Sequence, residues 1–196
     1  MAQLIIEDNA LIIAVFETFR KHGYEGTTIA LLSKGTGFKK SSLYHRFPEG
    51  KAGMAKTVAT YMQTQIQQGV IMPLLNKAIV PEERFKQVIT TLQAFYAEGT
   101  KSCLLNVLSL GDVAPDLKQV LNTIYDTFLY ALEKLAQEIG MDSHEAKLWA
   151  ERFLIFLQGA LVIQRVTKND EMFTLQMQDQ QKQFNQLLNK SKLSLK

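Results

Sequence analysis

The chain has 196 residues, 46% of them hydrophobic and 21% charged, with a formal net charge of +3. At this length about 70% of the unfolded surface is buried on folding, so no structural staple is needed, and the lone Cys103 excludes an internal disulfide and fits a reducing, cytoplasmic compartment. The apolar stretch 153–166 is broken by Gln158 and Gln164 and is shorter than the ~20 residues of a membrane span, while Leu4-Ile5-Ile6 lacks the basic flank of a signal peptide.

In chain order, the first helix is expected from about Glu7 to His22, where Ile12, Val15, Phe16 and Phe19 form one apolar stripe. Gly23 ends it. Thr27 or Thr28 offers a hydroxyl N-cap to a short helix over 29–36, with Ile29 and Leu32 turned inward. Gly37 supplies a left-handed turn and Phe38 anchors it. A second short helix runs from Lys40 to Phe47 with Leu43 and Phe47 inward, and Pro48-Glu49-Gly50 breaks it. The next helix starts near Lys51 and reaches about Gln68, with Gly69 and Pro73 ending or kinking it.

Pro81, followed by Glu82 and Glu83, suits a helix start, and that helix extends to about Glu98 with Gly99 closing it. Cys103 to Leu110 reads as a short buried helix. Pro115 opens the longest 3/4 stripe, from Leu117 to Ile139, and Gly140 stops it. Asp142 with Glu145 resembles a capping box before a helix to about Thr167 that is apolar nearly all round. A last helix covers about 170–189, with a loose tail from Ser191. No run alternates with a period of two. The expected fold is all-α, with about nine helices, dividing into residues 1–50 and 51–196.

Charge is uneven along this layout. Residues 27–56 carry Lys34, Lys39, Lys40, Arg46, Lys51 and Lys56 against Glu49 alone, whereas residues 57–196 balance to zero. A basic segment joined to a neutral remainder points to a polyanionic partner. Residues 28–47 have the layout of a helix-turn-helix, two short helices about a glycine turn, the second polar and positive. A helix fits the DNA major groove, where exposed side chains reach base edges. Lys39, Lys40, Ser41, Ser42, Tyr44, His45 and Arg46 are left to face it. Ser33 is small where the two helices should cross.

Phe19-Arg20-Lys21-His22-Gly23-Tyr24-Glu25-Gly26-Thr27-Thr28, Gly37, Ser42-Leu43-Tyr44-His45-Arg46-Phe47-Pro48 and Lys51 together resemble the N-terminal domain of TetR-family repressors over about residues 10–60. Phe47-Pro48-Glu49-Gly50-Lys51, Cys103-Leu104-Leu105-Asn106 and Leu157-Gln158-Gly159-Ala160-Leu161 are similar to the LmrA- and YxaF-like subgroup. The resemblance implies a homodimer that binds double-stranded operator DNA and a helical domain for a small-molecule effector whose binding changes the separation of the two reading heads. It implies phosphate contacts for Thr27 or Thr28 and for Lys51, base and phosphate contacts for Lys39, Ser41 and Ser42, and further groove and backbone contacts for Tyr44 and His45. Leu31 stands where the family has a polar residue, no basic residue precedes the first helix, and Gly35 costs its helix up to about 1 kcal/mol against alanine.

In the second half, the aromatics Phe95, Tyr125, Phe128, Trp149, Phe153 and Phe156, with Cys103 and Asn106, are the expected effector contacts. Gln158 and Arg165 are further polar handles. Cys103 near a helix start is also a candidate thiol sensor. Leu154, Leu157, Gly159, Leu161, Phe173, Met177 and Phe184 are the expected dimer contacts. No phosphate loop, nucleophile elbow or His-Glu-x-x-His is present, and His22, His45 and His144 lie far apart in sequence. An enzyme, a metal site and a cofactor are therefore not expected. The rival reading is a helical small-molecule or protein-binding module that does not touch DNA.

Overall fold

The computed structural model describes residues 2–169 and 171–194, with side chains described over 9–169 and 171–190. Among these residues every regular element is helical: α1 (Ala2–Gly26), α2 (Ile29–Thr36), α3 (Lys40–Arg46), α4 (Gly50–Ile66), α5 (Met72–Leu75), α6 (Pro81–Phe95), α7 (Leu104–Ser109), α8 (Pro115–Glu138), α9 (Ser143–Thr167) and α10 (Met172–Ser194). A π turn, Gln67–Ile71, joins α4 to α5 without a break, so the described residues form nine rods. Pro73 lacks an N–H and its ring collides with the carbonyl of residue 69 in a regular helix; widening the turn removes both conflicts. Gly69 and Pro73 thus do not end the helix but widen it locally.

Packing divides the chain into two compact units. The first is residues 1–64 with 102–123; the second is 65–101 with 124–196.

In the first unit, α1 packs on α2 and on α7. Leu11, Val15, Phe16, Phe19, Leu32, Leu43, Met54 and Val58 are buried there. Helix α1 extends nearly to the N-terminus and is broken at Gly23, whose φ of 70° and ψ of 175° belong to a region only glycine occupies at little cost. Gly35 has a purpose that propensity conceals: a Cβ at that position would collide with the Thr18 hydroxyl on α1. The residue that weakens α2 is the one that lets it lie close to α1. Arg20, 5% exposed, donates to the Ser102 carbonyl and sits over the Phe16 ring at 4.9 Å. The Asp112 amide donates to Glu25 at 3.1 Å, so the 102–112 segment is fastened to α1 at both ends. The Lys56 ammonium on α4 meets Asp116 on α8 at 2.6 Å.

In the second unit, Phe85 is the hub of a ring cluster, with centroids 4.4 Å from Phe184, 5.5 Å from Phe153 and 5.6 Å from Trp149. Each fully buried ring of this kind contributes roughly 1.5–3 kcal/mol from burial alone. Arg84 is 1% exposed; it donates to the Leu74 carbonyl at 2.8 Å and pairs with Glu138, tying the end of α5, the start of α6 and the end of α8 together. Helix α6 stops at Phe95, earlier than expected, because Ala97, Glu98 and Gly99 all take positive φ (45°, 51° and 88°). Gln164, buried in α9, holds this strained turn. Its Nε2 donates to the Glu98 carbonyl at 2.8 Å and its Oε1 accepts the Phe173 N–H at 2.7 Å.

The Asp142 side chain accepts the Glu145 N–H at 2.8 Å, as the capping-box spacing predicts. Helix α10 continues to Ser194, so the loose tail expected from Ser191 is helical up to there; residues 195–196 lie outside the described residues.

Candidate nucleic-acid interface

Helices α2 and α3 are built around a glycine turn fixed from several sides. Gly37 has φ 75° and closes α2 by donating to the Ser33 carbonyl. The Ser33 hydroxyl donates to the Phe38 carbonyl at 2.7 Å, so its smallness serves a hydrogen bond across the turn. The Phe38 amide donates to the Thr36 hydroxyl, and the Arg46 guanidinium lies 5.4 Å from the Phe38 ring, closing the unit from the far end of α3. Leu43 is fully buried and anchors α3.

With Leu43 inward, the outer face of α3 is determined by helical geometry. Lys40, Ser41, Tyr44 and His45 are exposed and span an arc of about 140° at 100° per residue. Ser42 and Arg46 lie at its margins, half-buried, and Lys39 is exposed just before the helix. The face carries two ammonium groups, hydroxyls, an imidazole and a phenol, and no carboxylate. Tyr44 is 50% exposed and its ring lies against Gly50, where an added Cβ would sit 3.3 Å from Cε1. It therefore covers the junction with α4 and presents its remaining surface outward.

Thr27 and Thr28 separate sharply. Thr28 is the N-cap of α2, its hydroxyl oxygen accepting the Leu31 N–H at 3.2 Å, and it is exposed. Thr27 is 1% exposed and donates to the Gly23 carbonyl at 2.6 Å. A side chain so buried offers nothing to a phosphate, which corrects the expectation for Thr27. Lys51 is half-buried; its ammonium donates to the Tyr24 carbonyl at 3.1 Å and lies 4.4 Å from the centre of the Tyr24 ring. Burial, then the neighbouring Glu25 and Asp112 carboxylates, push the Tyr24 phenol above its ordinary value.

The residues expected to contact an effector are distributed over both units. Phe128, Trp149 and Phe153 belong to the ring cluster of the second unit. Phe95 stacks edge-on to Tyr96 at 5.0 Å, whereas Tyr125 and Phe156 are 44% and 47% exposed. Cys103 and Asn106 belong to the first unit; Cys103 is 4% exposed, the profile of a small buried apolar group. Gln158 is half-buried and Arg165 is exposed. An open groove of about 470 Å³ lies in the second unit beside the π turn, lined by Gly69, Pro73, Gln87 and Thr91 among others.

The expected dimer contacts need a larger correction. Leu157, Leu161, Phe173, Met177 and Phe184 are at most 2% exposed within the chain itself, and Leu154 only 8%. They form the subunit's own core and have no surface for a partner. The apolar surface of α9 is the opposite stripe: Ile155, Phe156, Val162, Ile163 and Val166 are 40–74% exposed. Ile155, Gly159, Val162 and Val166 follow 4-3-4 spacing, the pattern of a helix-packing seam. A Cβ on Gly159 would meet nothing within 4 Å, so the seam is open along its middle.

Residues 11–58 match the family described as bacterial regulatory proteins of the TetR family. That stretch, from α1 into α4, is similar to the DNA-binding segment of TetR-family regulators. It is 23% identical over 164 residues to the HTH-type transcriptional regulator LmrA of Bacillus subtilis (strain 168), covering 81% of this chain and 86% of that one. It is likewise 23% identical over 155 residues to the uncharacterized HTH-type transcriptional regulator YxaF of the same organism, covering 77% and 81%. The fold is similar to a crystal structure of a TetR transcriptional regulator from Legionella pneumophila, with a TM-score of 0.79 and 15% identity over 89% of this chain and 95% of that one. The all-helical architecture and the N-terminal helix-turn-helix are therefore shown. Among the described residues no helix is long and apolar enough to cross a membrane.

Sequence reasoning missed Gly35, Lys51, Arg84 and Gln164 as structural keys. A signal existed for Gln164, since an amide inside a helix that is otherwise apolar must find a polar partner when buried. Arg84 gave none, because one residue on from Glu82 and Glu83 it reads as an ordinary surface charge.

Proposed function

We propose that this protein is a repressor that binds a palindromic operator as a homodimer and is released by a small apolar effector. Residues 1–50 read the DNA, and residues 51–196 supply the effector and dimer contacts. The observation that carries this reading is the outer face of α3, exposed, cationic and hydrogen-bonding, held by a buried Leu43 on a turn fixed from four sides. Lys39, Lys40, Ser41, Ser42, Tyr44 and His45 meet the major groove and Thr28 a phosphate. A reading helix of seven residues makes few contacts by itself; two copies on half-sites about one helical turn apart give useful affinity. The exposed seam of α9 and Leu175 on α10 supply the partner surface. The effector enters among Phe128, Trp149 and Phe153, whose rings must part to admit it. The protein acts by binding, without catalysis or cofactor, in the cytoplasm where its DNA is.

The test is duplex binding as a function of salt. A duplex selected from a randomised pool by the wild-type protein should yield a palindrome, with log affinity falling linearly in log salt at about 0.9 per phosphate contacted. Lys40→Gln should lower that slope by about one. A protein that enriches no duplex, or whose affinity ignores salt, would be the DNA-independent binding module instead.

A further inference from the structure

We infer that Lys51 serves DNA recognition through Tyr24, as a positioning residue, and not by meeting a phosphate. This rests on the DNA-reading function proposed above. The argument begins with where its ammonium goes. Lys51, in the first turn of α4, donates to the Tyr24 carbonyl at 3.1 Å and lies 4.4 Å from the centre of the same residue's ring. Both contacts draw the charge onto the protein's own backbone and π face.

The two residues are 27 apart, and the chain between them contains the whole of α2 and α3. The contact therefore clasps the two ends of the reading unit. At the Tyr24 end the anchor is firm. The Tyr24 ring stacks on the buried Phe19 ring at 6.1 Å and 9°. A Cβ on Gly111 would lie 3.0 Å from Tyr24 Cδ1, so the 111–112 turn abuts the same ring. The Tyr24 carbonyl also accepts the Thr27 N–H at 3.3 Å, and the Thr27 hydroxyl caps the Gly23 carbonyl. These bonds set the direction in which α2 leaves α1. A second point of attachment at Lys51 removes the remaining freedom of α2 and α3 to swing about that exit. Since an α3 displaced by about 1 Å forfeits its base contacts, restricting the swing raises affinity without any contact to DNA.

Two arms test this. In the first, binding to the selected duplex is measured against salt for Lys51→Gln, Tyr24→Leu and the double variant. Positioning predicts that Lys51→Gln weakens binding roughly three- to tenfold with an unchanged salt slope, and that the double variant is no weaker than Tyr24→Leu alone. A phosphate contact predicts a slope lower by about one, as for Lys40→Gln, and effects of the two substitutions that multiply; either result overturns the inference. The second arm needs no DNA. Thermal unfolding of the free protein should show that the two substitutions are coupled, the second costing less once the first is made; strict additivity would mean the clasp does not form. A wild-type protein that enriches no duplex at all would sink the DNA reading together with the role assigned to Lys51, and the free-protein cycle would then report on the clasp alone.

Discussion

Helices α3 and α9 both turn a broad face away from their own cores, with opposite chemistry. On α3 a single residue, Leu43, is buried and the outer arc is polar and cationic. On α9 eight residues are buried, yet the opposite stripe from Ile155 to Val166 is apolar as well. The α3 face is comfortable in water, and its charge suits the duplex proposed for it. The α9 stripe is a continuous apolar surface of the kind that marks an association site. One helix is conspicuous for the charge it exposes, and the other for exposing what helices ordinarily bury.

The contrast can be strained first at the supports beneath it. Gly99→Ala should be the most damaging change: φ is 88° there, and an added Cβ would overlap Phe173 and lie 2.7 Å from Gln164 Nε2. We expect a loss of about 3 kcal/mol or more, hence a melting temperature lower by roughly 6–12 °C for a chain of this size. A shift under 2 °C in calorimetry would mean that Gln164 does not hold the turn as described.

The two sides of the α9–α10 layer come next. Ile163→Asp, at a position 46% exposed, should leave the subunit folded while sedimentation shows monomer and duplex affinity falls on the order of 100-fold. Phe173→Asp, at a site with no exposure, should unfold the subunit instead. If Ile163→Asp stays dimeric, the seam is not the interface.

On α3, Tyr44→Ala should weaken duplex binding about tenfold with a far smaller change in melting temperature than Gly99→Ala, because the ring is half exposed. Equal affinity would leave the ring only its structural task of covering Gly50.

The smallest effect concerns Lys56 and Asp116, both about half exposed. The hydrogen bond from Lys56 is the main cause holding the Asp116 carboxyl below its ordinary value, and the same bond raises the Lys56 ammonium. The Asp116 contribution is present above the pH where a free carboxylate ionises, about 4, and fades as pH falls through the lower folded value. The Lys56 contribution is present below the free lysine value of about 10.4 and fades as pH rises through the higher folded one. Asp116→Asn should accordingly move the melting temperature barely at neutral pH and not at all in 1 M salt, where exposed pairs are screened.

Local patterns were legible where local physics decides. The bounds of α2, the glycine at 37, the Thr28 cap, Pro81 and Pro115 as helix openings and the Asp142 cap all follow from residues within four positions of each other. The polar face of α3 was legible too, because one apolar anchor leaves no choice of side. What was not legible depended on a third body. Gly35 reads as a weak helix former until Thr18 is placed beside it, and Lys51 as a free charge until Tyr24 arrives from 27 residues away. The inner and outer stripes of α9 are both apolar, so periodicity offers two equal answers. Only the packing of α10, and of Phe85 from α6 on Phe153, chose between them.

The amino-acid order by itself determined an all-helical chain with a basic, glycine-turned helix pair at one end, since caps, breakers and charge act over a few residues. Which leucines and phenylalanines are interior, where a buried Gln164 and Arg84 find their partners, and that Thr27 faces inward while Thr28 does not, were decided by tertiary structure alone. Those outcomes hinge on which surfaces meet across long stretches of chain, and no short-range pattern encodes that meeting.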